Sequence, residues 1–192
     1  MMMKGEAAVT ISGQDADKAP YGPWVSVWRG INLFMAVFFL LATIANVNDG
    51  DWYIWMPIYM IPALLGLVVA AKPQFIETRL WSSLSVIHFT LCLAYAIYQG
   101  AVLVETLAGQ VKNPLQHEEG REMGGLFIIL AWLGISRFTS LGRPNSPVSN
   151  RSMMSALLLM TVTLAVLPLL MWSLCFVSDW HTKLGHCNGM FA

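Results

Sequence analysis

Five long apolar runs constrain the fold of this chain more than any other feature of its sequence. They cover residues 31–47, 52–71, about 80–104, about 121–136 and 154–177. A helix needs ~17–25 apolar residues to cross a bilayer, a length that every run approaches or exceeds. Because backbone polar groups in lipid must be satisfied within the spanning segment, each run is predicted to be helical. The predicted fold is an all-α, polytopic membrane bundle of about five transmembrane helices.

Composition agrees with a membrane protein and excludes one class of partner. The chain of 192 residues is 56% hydrophobic and 11% charged, against ~45–50% and ~25% for soluble proteins. Its formal net charge is zero, so it has no basic stripe that would neutralise the phosphates of a nucleic acid. The partner that the composition predicts is the lipid bilayer, whereas protein and lipid ligands stay unidentified.

Basic residues predict the orientation and divide the chain. Residues 1–23 are polar and contain no apolar segment of signal-peptide type, and residues 1–27 are expected to form a disordered cytoplasmic tail. Residues 28–178 form the five-helix domain, and residues 179–192 form a short non-cytoplasmic tail. Basic residues are more frequent on the cytoplasmic side of a membrane protein. Eight lie on the side of the N-terminus (Lys4, Lys18, Arg29, Lys72, Arg79, Arg137, Arg143 and Arg151) and three on the other (Lys112, Arg121 and Lys183).

This topology gathers ionisable residues on the non-cytoplasmic face. The stretch 117–122 precedes the fourth predicted helix, whose apolar part is short, and a second acidic group ends the first predicted helix. Charge drawn toward a membrane is costly and often functional. The candidate polar cluster comprises Asn48, Asp49, Asp51, His117, Glu118, Arg121 and Glu122.

Two interpretations of this cluster stay open. Glu118 and Glu122 lie four residues apart, on one face of a helix, and with Asp49 they form a tentative site for a divalent cation. In the alternative, Arg121 pairs with a glutamate or with Asp49 and ties the first and fourth helices together. We favour this structural ion pair over a metal or catalytic site.

His88 is the ionisable residue placed deepest in the predicted membrane domain, within the third apolar run. An ionisable residue at such depth is a functional-site hypothesis by default. A neutral histidine that is hydrogen-bonded to a neighbouring helix is the simpler interpretation, and we favour it.

Cysteines and glycines give weaker signals. Cys92 and Cys175 lie within predicted helices and are expected to be inert packing residues. Cys187 is then alone on the non-cytoplasmic side, and no intrachain disulfide is expected there. Gly120 and Gly124 form a GxxxG pair that marks a candidate helix contact.

Several motifs resemble those of the transmembrane protein 220 family. They span residues 28–187, and the acidic stretch 117–122 is the most specific of them; Gly50 stands where the family pattern has a proline. The others are Trp28-Arg29, Val47-Asn48-Asp49 with Asp51, Ile58-Tyr59, Ile61-Pro62-Ala63, Ile87-His88, Gly125-Leu126, Trp180-His181-Thr182 and His186-Cys187. The resemblance implies a multi-pass membrane protein, and it implies no mechanism because the family has no established biochemical activity.

Three functions follow as hypotheses, and whether the protein is an enzyme stays open. The favoured one is a non-enzymatic membrane protein that binds or organises other components. The second is a membrane-embedded, metal-dependent enzyme with the acidic site at its non-cytoplasmic face. The third is a small transporter component with a path lined by His88 and three helix prolines, Pro57, Pro62 and Pro168.

Overall fold

The computed structural model of the protein describes residues 23–107, 118–139, 151–177 and Cys187. Within these residues the chain is helical and contains no strand, which confirms the predicted all-α fold. The α-helices are α1 (Pro23–Ala45), α2 (Trp52–Ala71), α3 (Arg79–Leu107), α4 (Glu118–Phe138) and α5 (Arg151–Leu174). A short 3₁₀ helix, Pro73–Glu77, connects α2 to α3.

Helix α1 begins earlier than the first apolar run. Its first residue is Pro23, and proline is favoured at the first helical position, where its missing N–H costs nothing. Residues 23–27 therefore belong to a helix instead of the predicted tail. The rest of that predicted tail lies outside the described residues.

Three helices have the length and apolarity of a membrane span. In the described part of the chain these are Val25–Ala45, Trp52–Ala71 and Arg79–Glu105. Helix α5 contains a shorter apolar stretch, Ser155–Met171, and α4 opens with acidic and basic residues in its first turns. The protein is thus a helical membrane protein, and membrane crossing by α4 and α5 stays a prediction.

Helices α1 and α2 form the most closely packed hairpin of the bundle, and small residues allow their approach. A Cβ atom on Gly66 would lie 3.1 Å from the Asn32 carbonyl oxygen and 3.3 Å from the Ala36 Cβ. Ala36 and Ala63 are fully buried. Small side chains are what allow helix backbones to approach closely in membranes, where van der Waals packing replaces the hydrophobic effect.

A side chain of α1 also caps the end of α2. The last four carbonyl groups of a helix have no partner within it. The Arg29 Nε–H donates a 2.7 Å hydrogen bond to one of these, the carbonyl oxygen of Ala70. Basic side chains at a helix C-terminus also interact favourably with the helix dipole.

Helix α4 packs a stripe of apolar side chains into the core. Leu126, Ile129 and Leu133 are fully buried, at the spacing of three and four residues that places side chains on one helix face. Trp132 extends this face and meets Phe39 of α1 edge-on, with ring centroids 5.6 Å apart. These contacts hold α4 against the α1–α2 hairpin.

The cysteine prediction is wrong for Cys175 and Cys187. Cys175 and Cys187 form a disulfide with Cα atoms 5.5 Å apart, whereas Cys92 is a buried free thiol. The fifth apolar run extends to residue 177, but α5 ends at Leu174. Cys175 therefore lies in the turn after the helix, where it reaches a residue 12 positions further along the chain.

Candidate functional site

Six side chains from α2, α3, α4 and the turn before α2 meet near the beginning of α2. Asp51 precedes the first residue of α2, and its Oδ2 accepts a 2.7 Å hydrogen bond from the indole Nε1–H of Trp55. The Asp51 side chain makes no hydrogen bond to the helix backbone as an N-cap. We call the group the polar–aromatic cluster; its members are Asp51, Trp55, Tyr59, Tyr95, Gln99 and Glu122.

Trp55 is the centre of this cluster. It is 2% exposed, stacks on Tyr59 of its own helix at 5.8 Å between ring centroids, and meets Tyr95 of α3 at 5.6 Å. Aromatic pairs at such distances contribute ~0.5–1.5 kcal/mol beyond their buried area. The rings thus join α2 to α3 while the indole N–H is satisfied by Asp51.

Glu122 enters the cluster from the second turn of α4. Its Oε2 accepts a short hydrogen bond from the amide Nε2 of Gln99, and the same nitrogen lies 3.3 Å from the hydroxyl oxygen of Tyr95. An amide nitrogen only donates hydrogen bonds, so the contact satisfies a carboxylate oxygen with a neutral partner. This interaction connects α3 to α4.

Tyr59 connects the cluster to α4 by a close contact with Gly125. A Cβ atom built on Gly125 would overlap the Tyr59 hydroxyl, so only a glycine fits beside this ring. Glu122 lies close enough to interact electrostatically with the same hydroxyl. Gly124, in contrast, has nothing within 4 Å of an added Cβ. The close contact is therefore made by Gly125, one residue beyond the predicted GxxxG pair.

His88 lies deeper in the bundle and forms a hydrogen bond with the backbone of α2. Its Nε2 is 3.0 Å from the carbonyl oxygen of Ile58. In a regular helix that carbonyl accepts from the N–H four residues later, but this residue is Pro62, which has no N–H. A carbonyl only accepts, so Nε2 carries the proton. His88 thus replaces the donor that Pro62 removes.

Cys92 borders the same histidine. Its Sγ lies 3.4 Å from Nε2 of His88, one helical turn away, and it is close enough to Tyr59 for an electrostatic interaction. His88 and Cys92 thus form a polar pair on α3.

The structure brings together two members of the predicted cluster and separates others. Asp51 and Glu122 belong to the polar–aromatic cluster, whereas Asn48, Asp49 and Arg121 are exposed. In the described part of the chain, Arg121 has no carboxylate within ion-pairing distance. His117 and the Glu118 side chain lie outside the described residues. A pairing with Glu118 therefore stays a prediction, as does the metal set Asp49, Glu118 and Glu122.

Sequence reasoning missed four members of the cluster. Trp55, Tyr59 and Tyr95 stand in apolar runs, where aromatic residues give no indication of a site. Gln99 gave a usable signal, because a polar amide inside a spanning helix needs a partner there. Among the described residues, no group of three or more histidine, cysteine or acidic side chains is arranged to hold a metal ion.

Together, the fold and this site define a multi-pass helical membrane protein with a polar–aromatic contact between three helices. The family model described as "Transmembrane family 220, helix" matches residues 38–138. The chain is also 35% identical over 147 residues to a protein named Transmembrane protein 220 from Xenopus laevis, covering 76% of this chain and 73% of that relative. The chain therefore belongs to the transmembrane protein 220 family. No solved structure matches it.

Proposed function

We propose that this protein is a non-enzymatic membrane protein that binds or organises other membrane components, and that the polar–aromatic cluster holds its own helices together. The observation that carries the proposal is the hydrogen bond from Gln99 to the Glu122 carboxylate. It uses the most deeply placed acid of the acidic motif as a contact between α3 and α4. The motif is thereby given a structural role.

The described contacts of Glu122 favour a structural role over a metal site. Divalent cations are held by carboxylates, imidazoles and carbonyl or water oxygens. Among the described residues, Glu122 accepts from the Gln99 amide, and the other acid of the cluster, Asp51, already accepts from Trp55. A cation at Glu122 would have to displace the Gln99 amide, which favours the structural role.

Helix α3 offers a surface for the organising role. Only 17% of its most apolar stretch is buried within the chain, against 44% for α1 and 39% for α2. Leu84, Ile87 and Leu91 are among its exposed side chains. In a bilayer such a face is covered by lipid or by helices of another protein. This surface supports a function exercised through contacts within the membrane.

Metal analysis of the purified protein tests the proposal. We expect much less than one equivalent of divalent metal per chain, and a thermal midpoint that neither a chelator nor added Mg²⁺ or Zn²⁺ changes. Glu122→Gln should fold and lose part of its thermal stability, because the shorter-range dipole of an amide replaces the carboxylate acceptor. Glu119→Gln, which alters another glutamate of the same helix, is the matched control.

One equivalent of metal per chain, lost in Glu122→Gln and retained in Glu119→Gln, would overturn the proposal and restore the enzyme hypothesis. The two variants have the same change of charge. A difference between them therefore reports on the position of the carboxylate.

We further propose that the N-terminus faces the cytoplasm and the C-terminus faces the lumen or the outside. Eight of the basic residues lie on the N-terminal side and three on the other. The disulfide between Cys175 and Cys187 supports this orientation, because disulfides persist in oxidising compartments and are rare in the cytosol.

Glycosylation tests this orientation. Asn150-Arg151-Ser152 is a natural N-x-S acceptor site, and Met190→Ser completes a second one at Asn188. We expect a glycan on Asn188 in that variant and none on Asn150, read as a mobility shift that glycosidase removes. A glycan on Asn150 would reverse the orientation.

A further inference from the structure

A narrow crevice lies between α1, α4 and α5, on other elements than the polar–aromatic cluster. Its walls include Trp28 and Ile31 of α1, Trp132 and Ile135 of α4, and Leu157 and Thr161 of α5. No charged side chain of the described residues lines it. The crevice is therefore apolar and neutral, except for the two indole N–H groups and one hydroxyl that its walls carry.

Four polar side-chain atoms on α1 and α4 are buried without a hydrogen-bond partner among the described residues. Two of them, Nε1 of Trp28 and Nε1 of Trp132, belong to the walls of this crevice, and the other two are Oδ1 of Asn32 and Oγ of Ser136. All four side chains are at most 4% exposed. A buried polar group without a partner costs ~1–3 kcal/mol, so the two indole N–H groups of the walls indicate a ligand that supplies the missing hydrogen bonds.

Helix periodicity relates the other two atoms to the crevice walls. Asn32 follows Trp28 by one turn of α1, and Ser136 follows Trp132 by one turn of α4, so each pair shares a helix face. The Asn32 backbone and the Trp132 ring also lie close to α2, since a Cβ on Gly66 would be 3.1 Å from the Asn32 carbonyl and 3.5 Å from the Trp132 ring. The Asn32 amide nitrogen already donates to the Trp28 carbonyl at 2.8 Å, which leaves its Oδ1 as the acceptor.

The size and polarity of the crevice select the ligand group. Its cavity volume is about 10 Å³, which holds one water molecule or one hydroxyl group. A hydroxyl accepts from two donors and donates to one acceptor. It therefore matches the two indole N–H groups of the walls, whereas a phosphate or a sugar is too large and a cation lacks an anionic partner.

The open side of the crevice indicates which kind of molecule carries this hydroxyl group. Met160 and Leu164 of α5 lie at its edge, within the apolar stretch Ser155–Met171. This side therefore faces hydrocarbon, which favours a lipid tail over an isolated water molecule. We propose that the crevice binds the hydroxyl group of a neutral membrane lipid of the sterol or diacylglycerol type, with the apolar part of the lipid against α5.

Photo-labelling of the full-length protein in phosphatidylcholine vesicles tests this proposal. The probes are a photoreactive sterol with its 3-deoxy counterpart, and a photoreactive diacylglycerol with its O-acetylated counterpart. We expect saturable labelling of peptides from α1, α4 or α5 by at least one hydroxyl probe. The matching hydroxyl-free probe should bind about tenfold more weakly, as expected for the loss of two or more hydrogen bonds. The probe that labels identifies the lipid class.

Single substitutions distinguish labelling in the crevice from labelling through general contact with lipid. Trp28→Phe and Trp132→Phe keep an aromatic ring and remove one N–H each, so each should weaken labelling about fivefold. Trp81→Phe is the control, because its Nε1 donates to the Leu65 carbonyl at 3.3 Å, away from the crevice. Thermal unfolding shows whether each variant folds.

Equal labelling by hydroxyl and hydroxyl-free probes would overturn the inference. Unchanged labelling of both folded crevice variants would overturn it as well. None of the residues changed here belongs to the polar–aromatic cluster, so either failure leaves the proposed function intact.

Discussion

Pro62 and His88 act as one unit although they lie on different helices. Proline is tolerated in a membrane helix when another group satisfies the carbonyl that it leaves without a donor. Here the imidazole N–H of His88 reaches the Ile58 carbonyl at 3.0 Å. A histidine that would otherwise suggest proton transfer within the membrane is thus explained by the backbone of α2.

A double-mutant cycle tests this pairing. His88→Leu should lower the free energy of unfolding by about 1 kcal/mol, because the Ile58 carbonyl is left unsatisfied. In a Pro62→Ala background the restored N–H serves that carbonyl, and His88→Leu should then cost clearly less. Thermal or denaturant unfolding in detergent gives the four values, and additive effects would contradict the pairing.

Gly125 sets the distance between α4 and the aromatic rings of α2. We expect Gly125→Ala to lower the free energy of unfolding by ~1–3 kcal/mol, because the added methyl group overpacks the buried Tyr59. Gly124→Ala is the control and should change little or improve helix propensity, since nothing lies within 4 Å of its added Cβ. Tyr59→Phe should partly restore Gly125→Ala, and equal costs for the two glycine variants would refute the contact.

Among elements, α1 and α2 pack through small residues, whereas α3 leaves most of its apolar surface outside the chain. Gly66 faces the backbone of α1, with 3.1 Å from its built Cβ to the Asn32 carbonyl. A backbone atom cannot move aside as a flexible side chain can. The interface between α1 and α2 is therefore closely packed, whereas α4 packs mainly against α3.

Substitution of two glycines distinguishes this interface from the helix surface. Gly66→Val should separate α1 from α2 and cost several kcal/mol, as expected for overpacking against a backbone. Gly30→Val, where nothing lies within 4 Å of the built Cβ, should cost no more than the ~0.5 kcal/mol typical of surface changes. Equal thermal midpoints for the two variants would contradict the close packing.

The apolar runs predicted the elements well, because each needs only its own residues to satisfy its backbone. All five runs correspond to helices. The helix ends were predicted less accurately, since a helix end depends on local caps and turns and not on hydrophobicity. The first run was drawn too short at its beginning, and the fifth too long at its end. The second error placed Cys175 inside a helix and hid the disulfide.

In the molecule as a whole, polar side chains near the beginning of α2 are partnered, whereas the indole N–H groups of the crevice have no hydrogen-bond partner among the described residues. Charges identified Asp51 and Glu122 from the sequence, because an acid beside an apolar run is conspicuous. The partners Trp55, Tyr95 and Gln99 depend on how α2, α3 and α4 are rotated against one another. One sequence does not fix that rotation, so the site could be predicted only in part.

The hydrogen bond between Gln99 and Glu122 assigns the acidic motif its structural role. A double-mutant cycle with Gln99→Leu and Glu122→Leu, measured as thermal unfolding with and without a chelator, tests it. Each single change removes this hydrogen bond and takes one partner from the remaining polar side chain, so the double variant should be more stable than the sum of the single losses predicts, by ~0.5–2 kcal/mol. The chelator should have no effect. Additive losses, or a wild-type stability that falls with the chelator, would contradict a structural role for this carboxylate.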